Sequence, residues 1–320
     1  MTNRRQFIKN ASLATAAGML ASQSGRAASF MPGVNNTKNF GLQTYSLGGE
    51  LGADVPGGLK RVAAMGYQYL ELAGYNIECR IGQVPMAEFK RFADDAGIEI
   101  RATHTGMPRD PYDRGNLNAV LDHWKRVTEH HVSIGCKYII QPGDPGINAI
   151  INTDTLAYLC ELYNEIGKVV KAGGGSFGFH NHAAEFRYVV PGGTERLPLG
   201  TRFNPRMPAP EGAVMLYDGM LAGMDPEVVF FELDVYWCVF GQQCPVEYMQ
   251  KYPKRFQFLH IKDRQVLGES GWMNFQKIFE TAYADGIQHF VVELEGYTGG
   301  TQFEGVKGCA DYLLRSPFVR

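Results

Sequence analysis

The chain lacks a charge imbalance: 31 Lys and Arg stand against 33 Asp and Glu in 320 residues, a net charge of -2. It also lacks a basic tail or any Lys/Arg block. Electrostatic capture of nucleic acid or of an anionic membrane is therefore not expected, and small neutral or weakly anionic ligands fit better. No apolar run reaches the length that spans a bilayer. The six cysteines (Cys79, Cys136, Cys160, Cys238, Cys244 and Cys309) have no paired close spacing of the zinc-ribbon or redox kind. They read mainly as core residues, with a Cys238 to Cys244 bridge disfavoured. No glycine-rich dinucleotide turn follows the first apolar run, which removes the common nucleotide-binding open sheet. A glycine-rich anion cradle is missing too, so nothing points to a phosphate group.

What is there is enough apolar sequence, 45% of the chain, to bury the core of one large α/β domain. The first thirty residues stand apart. "NRRQFIKNASLATAAGMLA" has Arg4 and Arg5 side by side, then Phe7, Lys9 and a mildly apolar Ala/Leu stretch. This resembles a twin-arginine export signal, with small residues around Ala28 for cleavage. Residues 1–30 are accordingly set aside as a signal peptide, and residues 31–320 are expected to form an exported, periplasmic domain that no longer touches the membrane.

Eight short apolar runs follow: "NFGLQTYSL", "YQYLELAGY", "IEIRATHTG", "KYIIQPGD", "SFGFHNH", "VVFFELDVYW", "FQFLHIKD" and "HFVVELEGY". Between them lie segments such as "MAEFKRFADDAG", "LAYLCELYNEIGKVVKAGG" and "FQKIFETAYADG", whose apolar residues recur at three and four positions. Several end in glycine (Gly66, Gly97, Gly135, Gly173, Gly286), where a left-handed helix cap is expected. Eight repeats of strand, helix and glycine predict a parallel sheet closed into a single-domain α/β fold, a (β/α)8 TIM barrel. The unit after the fifth strand is atypical: about 188–213 is rich in Pro and Gly without helical periodicity, and reads as an inserted loop over one barrel face.

In such a barrel alternate strand residues point inward, and the working face lies at the carboxyl ends of the strands. The polar residues there are His180, His182 and Glu185 on strand five, Glu232 and Asp234 on strand six, His260 on strand seven, and Glu293 and Glu295 on strand eight. Burying lone carboxylates costs several kcal/mol (about 2–7 for an unpaired polar group), so neighbouring strands that all end this way call for a shared compensating ion. Asp, Glu and one or two imidazoles suit one divalent cation, with Mn the first choice and Zn, Mg or Co also compatible. His104, Glu71, Gln141, Glu295 and Tyr45 are candidates for binding substrate hydroxyls. Trp237 is a candidate wall for a sugar face or a core aromatic, and Lys262 a substrate contact or, preferably, an ion pair with a carboxylate such as Glu232.

The order of "HNHAAEF", "DPEVVFFELDVYW", "HIKD" and "VVELE" resembles the xylose isomerase-like TIM-barrel superfamily of sugar phosphate isomerases and epimerases, over essentially all of the chain after the signal. The resemblance implies that strands five to eight supply Glu, Asp, His and Glu to one cation. Asp234, His260 and Glu293 match the last three places, with Glu295 as the alternative to Glu293. The first place departs from the pattern: His180-Asn181-His182 stands where many members carry Glu-Asn-His, leaving either His180 or Glu185 as the ligand. The implied activity is metal-dependent isomerisation or epimerisation of a carbohydrate by proton transfer next to a carbonyl, through an enediolate, with Glu293 and His180 or His182 as the proton-transferring groups. Loss of one glutamate makes elimination or hydration of a keto-sugar or keto-glycoside a rival. A non-catalytic exported carbohydrate-binding protein and a phosphodiesterase of the apurinic-endonuclease type are further alternatives. The resemblance also implies a homodimer.

Overall fold

Eight parallel strands close into one barrel in strict chain order: β1 (Gly41–Gln43), β2 (Tyr69–Leu72), β3 (Glu99–His104), β4 (Tyr138–Pro142), β5 (Ser176–His180), β6 (Val229–Asp234), β7 (Phe256–Ile261) and β8 (His289–Val292), with β8 pairing back onto β1. This computed structural model describes residues 38–108, 110–143 and 146–320; the expected export signal lies outside them. The eight strands are the eight apolar runs of the sequence, and the (β/α)8 barrel is the expected fold. Every residue of β6 is buried, as the run "VFFELD" requires of a strand covered on both faces.

The helices form where the periodicity places them. Thr153–Ala172 buries Leu156, Leu159, Tyr163, Ile166 and Val170, spaced by three and four, and opens with a capping box between Asn152 and Thr155. Met86–Ala96 and Phe275–Asp285 end on Gly97 and Gly286 in the left-handed conformation. At the end of Thr153–Ala172 the expectation is off by one residue: Gly173 keeps a helical φ of -80°, and the left-handed position is Gly174 at 88°.

The barrel interior is built in layers set by strand parity. A lower layer packs Tyr69, Ala102, Ile140, Phe230, Phe258 and Val291 together. Two residues further along the same strands stand Glu71, His104, Glu232, His260 and Glu293. The apolar layer plugs the barrel and the polar layer forms its mouth. Gly178 makes this possible on β5, because a Cβ there would lie 2.4 Å from the Phe230 ring of its register partner. Register shifts on β2 and β6 fall immediately before Glu71 and Glu232.

Two departures lie outside the barrel. A three-stranded antiparallel sheet (Tyr75–Asn76, Arg80–Ile81, Val84–Pro85) follows β2, where the sequence reading has no element. The stretch expected as an inserted loop runs between two paired two-residue strands, Tyr188–Val189 and Val214–Met215. All six cysteines are free, four of them buried. Among the described residues no helix is long and apolar enough to cross a membrane.

On the helix Leu117–Ser133, His131 is fully buried, donating from Nδ1 to the Val127 carbonyl at 2.6 Å and packing against Tyr75 with ring centroids 4.5 Å apart. Burial lowers its pKa from 6.5 to about 4. The unfolded chain therefore binds this proton first, so the stability contributed by the neutral ring is complete above pH 6.5 and is lost as the pH falls toward 4, by at most about 3 kcal/mol. We expect thermal unfolding midpoints to fall less steeply between pH 7 and pH 4.5 in His131→Phe than in the native chain; identical slopes would show that His131 does not contribute.

Candidate active site at the barrel mouth

Four adjacent strands bring His180 (β5), Asp234 (β6), His260 (β7) and Glu293, one residue past β8, together at the barrel mouth. One donor atom from each lies within 4.8 Å of all the others, and all four residues are buried. His180 Nε2 is 3.4 Å from Asp234 Oδ2, and His260 Nδ1 is 3.4 Å from Glu293 Oε2 and 3.8 Å from Asp234 Oδ2. His180 Nδ1 and Nε2, Asp234 Oδ2 and His260 Nδ1 have no hydrogen-bond partner. Buried polar atoms left in this state cost free energy unless something else binds them, and the donor set of two imidazoles and two carboxylates fits a divalent cation.

Each group is oriented from behind. Asp234 spends its other oxygen, Oδ1, on the Trp237 N–H at 2.7 Å, capping the helix Val235–Phe240, while its own N–H donates to Asn181 Oδ1 at 3.1 Å. His260 faces Glu71 Oε2 with Nε2 at 2.7 Å, which leaves Nδ1 for the cluster. Lys262 binds Glu293 Oε2 at 2.9 Å and also Glu295.

A second group lies against the first and shares His260 with it: Glu71, His104 and Glu232. Glu71 Oε2 accepts from Gln43 Nε2 at 2.8 Å and meets His104 Nε2 at 3.1 Å; His104 Nε2 is 3.0 Å from Glu232 Oε2. Burial opposes the charge on His104, but Glu71 and Glu232 outweigh it and raise its pKa to about 9. The two carboxylates are pushed apart. Burial and the charge of Glu71 raise Glu232, whereas Glu71 falls below the usual carboxylate range because the two imidazoles outweigh its burial. Burial also resists the charges on Asp234 and Glu293, yet Lys262 beside the first and His260 beside the second hold both low. His180 is the reverse case: burial, then the neighbouring charge of His260, drives its pKa well down and keeps it neutral.

The mouth opens into a cavity of about 370 Å³ lined by His104, His180, His182, Glu293, Glu295 and Tyr45. That volume suits a small organic ligand. His182 forms one wall, next to the ring of Trp237 at 5.7 Å. Trp237 is partly buried and donates from Nε1 to Glu295 Oε1 at 3.3 Å. Glu295 stands at the rim with 37% of its side chain exposed, outside both groups. Gln141 is buried and donates to the Gly143 carbonyl at 2.8 Å.

Two expectations are corrected. Glu185 joins neither group: its carboxylate accepts the His182 N–H at 2.9 Å on the turn that follows β5, and His180 takes the place in the cluster. The partner of Lys262 is Glu293 with Glu295, since Glu232 is occupied on the far side by His104. Sequence reasoning missed Gln43 and Asn181. Gln43 has the parity of the inward residues and lies two positions before Tyr45, the residue chosen instead; Asn181 sits between the two histidines, and its role appears only when β6 is placed beside it.

Residues 59–311 match the family described as "Xylose isomerase-like TIM barrel". Two solved structures of sugar phosphate isomerase/epimerases from Parabacteroides distasonis are similar. One is 43% identical over 88% of this chain and 100% of its own, with a TM-score of 0.78; the other is 41% identical over 89% and 96%, with a TM-score of 0.79. A D-psicose 3-epimerase from Clostridium cellulolyticum shares the fold, at 17% identity over 84% of this chain and 89% of its own, with a TM-score of 0.59. No curated protein matches. The conserved architecture and these relatives lead to one conclusion: the chain belongs to the xylose isomerase-like TIM-barrel family and is a sugar phosphate isomerase/epimerase-like barrel.

Proposed function

We propose that the protein is a divalent-metal-dependent enzyme that moves a proton at the carbon next to a sugar carbonyl. The observation that carries this reading is the set of partnerless donor atoms on His180, Asp234 and His260, buried beside Glu293 under a cavity of sugar size. These four residues would hold the cation. When bound, a cation such as Mn would polarise the carbonyl and so acidify the neighbouring C–H. The protein's own part is to place bases and charges around that carbon. Glu293 is held ionised by His260 and Lys262 and faces the cavity, so it can accept a proton on one side. His182 can serve on another wall, because burial lowers its pKa and keeps the imidazole neutral near pH 7. The protonated His104 presents positive charge to substrate oxygen. The paired arginines and apolar stretch of residues 3–21 support export, and a periplasmic enzyme would meet unphosphorylated sugars.

One observation favours a second outcome of the same proton abstraction. With His180 at the strand-five place, an imidazole stands where the epimerase form has a carboxylate, and elimination or hydration of a keto-sugar needs only one carboxylate base. Product analysis by NMR after turnover in deuterium oxide separates the two, because epimerisation returns an inverted, labelled sugar and elimination an unsaturated one.

Asp234→Asn preserves an acceptor for the Trp237 N–H but removes the ligand charge. We expect it, and His260→Ala, to lose stoichiometric metal by elemental analysis. Solvent-deuterium incorporation should fall by at least about 100-fold, as when a catalytic acid–base or metal function is lost. Full activity in either variant sinks the reading. Because His260 is protonated without a cation, metal binding should release protons and weaken as the pH is lowered. Calorimetry of Mn titrations in two buffers of different ionisation enthalpy reads the number released; none released would place the cation elsewhere.

A further inference from the structure

A second cavity, of about 320 Å³, adjoins the catalytic one and shares Tyr45, Ala73 and Gly74 with it. Its character is different. The walls are Leu51, Val55, Ile81, Val84 and Phe89, brought together by the helices Gly48–Ala53, Val55–Ala64 and Met86–Ala96 and by the small sheet after β2. Two of the polar groups in its wall are already used: Thr44 Oγ1 accepts the Ala73 N–H at 2.8 Å, and the Gly82 N–H donates to the Gly74 carbonyl at 2.8 Å. Apart from Gln83 and the Tyr45 hydroxyl, sugar hydroxyls would find little to bond there, whereas an apolar ring would gain by leaving water. A cavity of about 150 Å³ is enough for benzene, so this one has room for a one- or two-ring group. Tyr45, 61% exposed, stands where the two cavities meet and offers an aromatic face to a ligand that spans both.

We infer that this cavity is a subsite for an apolar substituent carried by the sugar in the catalytic pocket, so that the substrate is a glycoside with an aryl or similar aglycone. This rests on the proton-transfer reading of the main site for its chemistry, but the subsite itself rests on the shared wall and the apolar lining. The two cavities share Tyr45, Ala73 and Gly74, which supports a single ligand that reaches across these residues into both.

Gly52 gives the test. It lines the apolar cavity, has no left-handed φ, and a Cβ added there meets nothing within 4 Å, so a side chain can be introduced without strain and away from the catalytic groups. The affinities of phenyl and methyl 3-keto-β-D-glucoside are measured by calorimetry on chelator-treated protein, and solvent-deuterium exchange into both on the metal-loaded protein. We expect the native chain and Gly52→Ala to bind the phenyl glycoside about tenfold or more tightly than the methyl one. Gly52→Phe, which fills the cavity, should erase that preference while leaving methyl glycoside binding within about twofold. Gln83→Trp fills the same cavity from the opposite rim and stands in if Gly52→Phe does not fold. Equal affinities in the native chain, or a preference that survives both filling variants, would overturn the subsite. A preference intact with no exchange into either glycoside would instead overturn the proton-transfer reading and leave the subsite standing.

Discussion

Charge compensation at the mouth of the barrel is the constraint on which the rest of the site depends. Glu71, Glu232, Asp234 and Glu293 are all buried in one small volume, and four bare carboxylates could not stay there. The fold answers with His104, His260 and Lys262 as cations, and with Glu232 raised toward its neutral form. His180 stays neutral inside this balance and contributes lone pairs rather than charge. A divalent cation fits the same scheme, since it could replace the proton of His260 and draw the partnerless oxygen of Asp234 and one ring nitrogen of His180 into use.

The two clusters then divide the labour. Glu71, with Gln43 behind it, fixes which nitrogen of His260 faces the mouth, and so sets the orientation of that imidazole from the floor of the barrel. Asp234 and Asn181 do the same from the side. The apolar plug of Tyr69, Phe230, Phe258 and their neighbours closes the barrel beneath, keeping water from the charged layer and strengthening every interaction in it.

Most of this was legible in the sequence because a strand writes its inward face at every second position. Once eight apolar runs were aligned, the polar residues at their carboxyl ends were the candidates for the mouth, and the family resemblance singled out Asp234, His260 and Glu293 among them. What parity does not carry is direction beyond the strand end. Glu185 lies on the turn after β5 and closes a local hydrogen bond instead of reaching the mouth. The partner of Lys262 depends on which carboxylate its side chain reaches: Glu293 and Glu295 lie across the β7 to β8 boundary, while Glu232 on β6 meets His104 of β3. The sheet after β2 escaped because its strands are two residues each, too short to show a period.

Asp234 places two obligations on one side chain. One oxygen starts the helix Val235–Phe240 and the other faces the cluster, so a change that serves only one of them is not tolerated by the other. Glutamate keeps the charge but is too long to cap; asparagine caps but carries no charge; serine caps and cannot reach. Substitution at this position therefore costs either local order or the charge that faces the cluster, which narrows the routes by which the barrel could drift to new chemistry. His180 is under no such double constraint, since neither of its ring nitrogens makes a hydrogen bond.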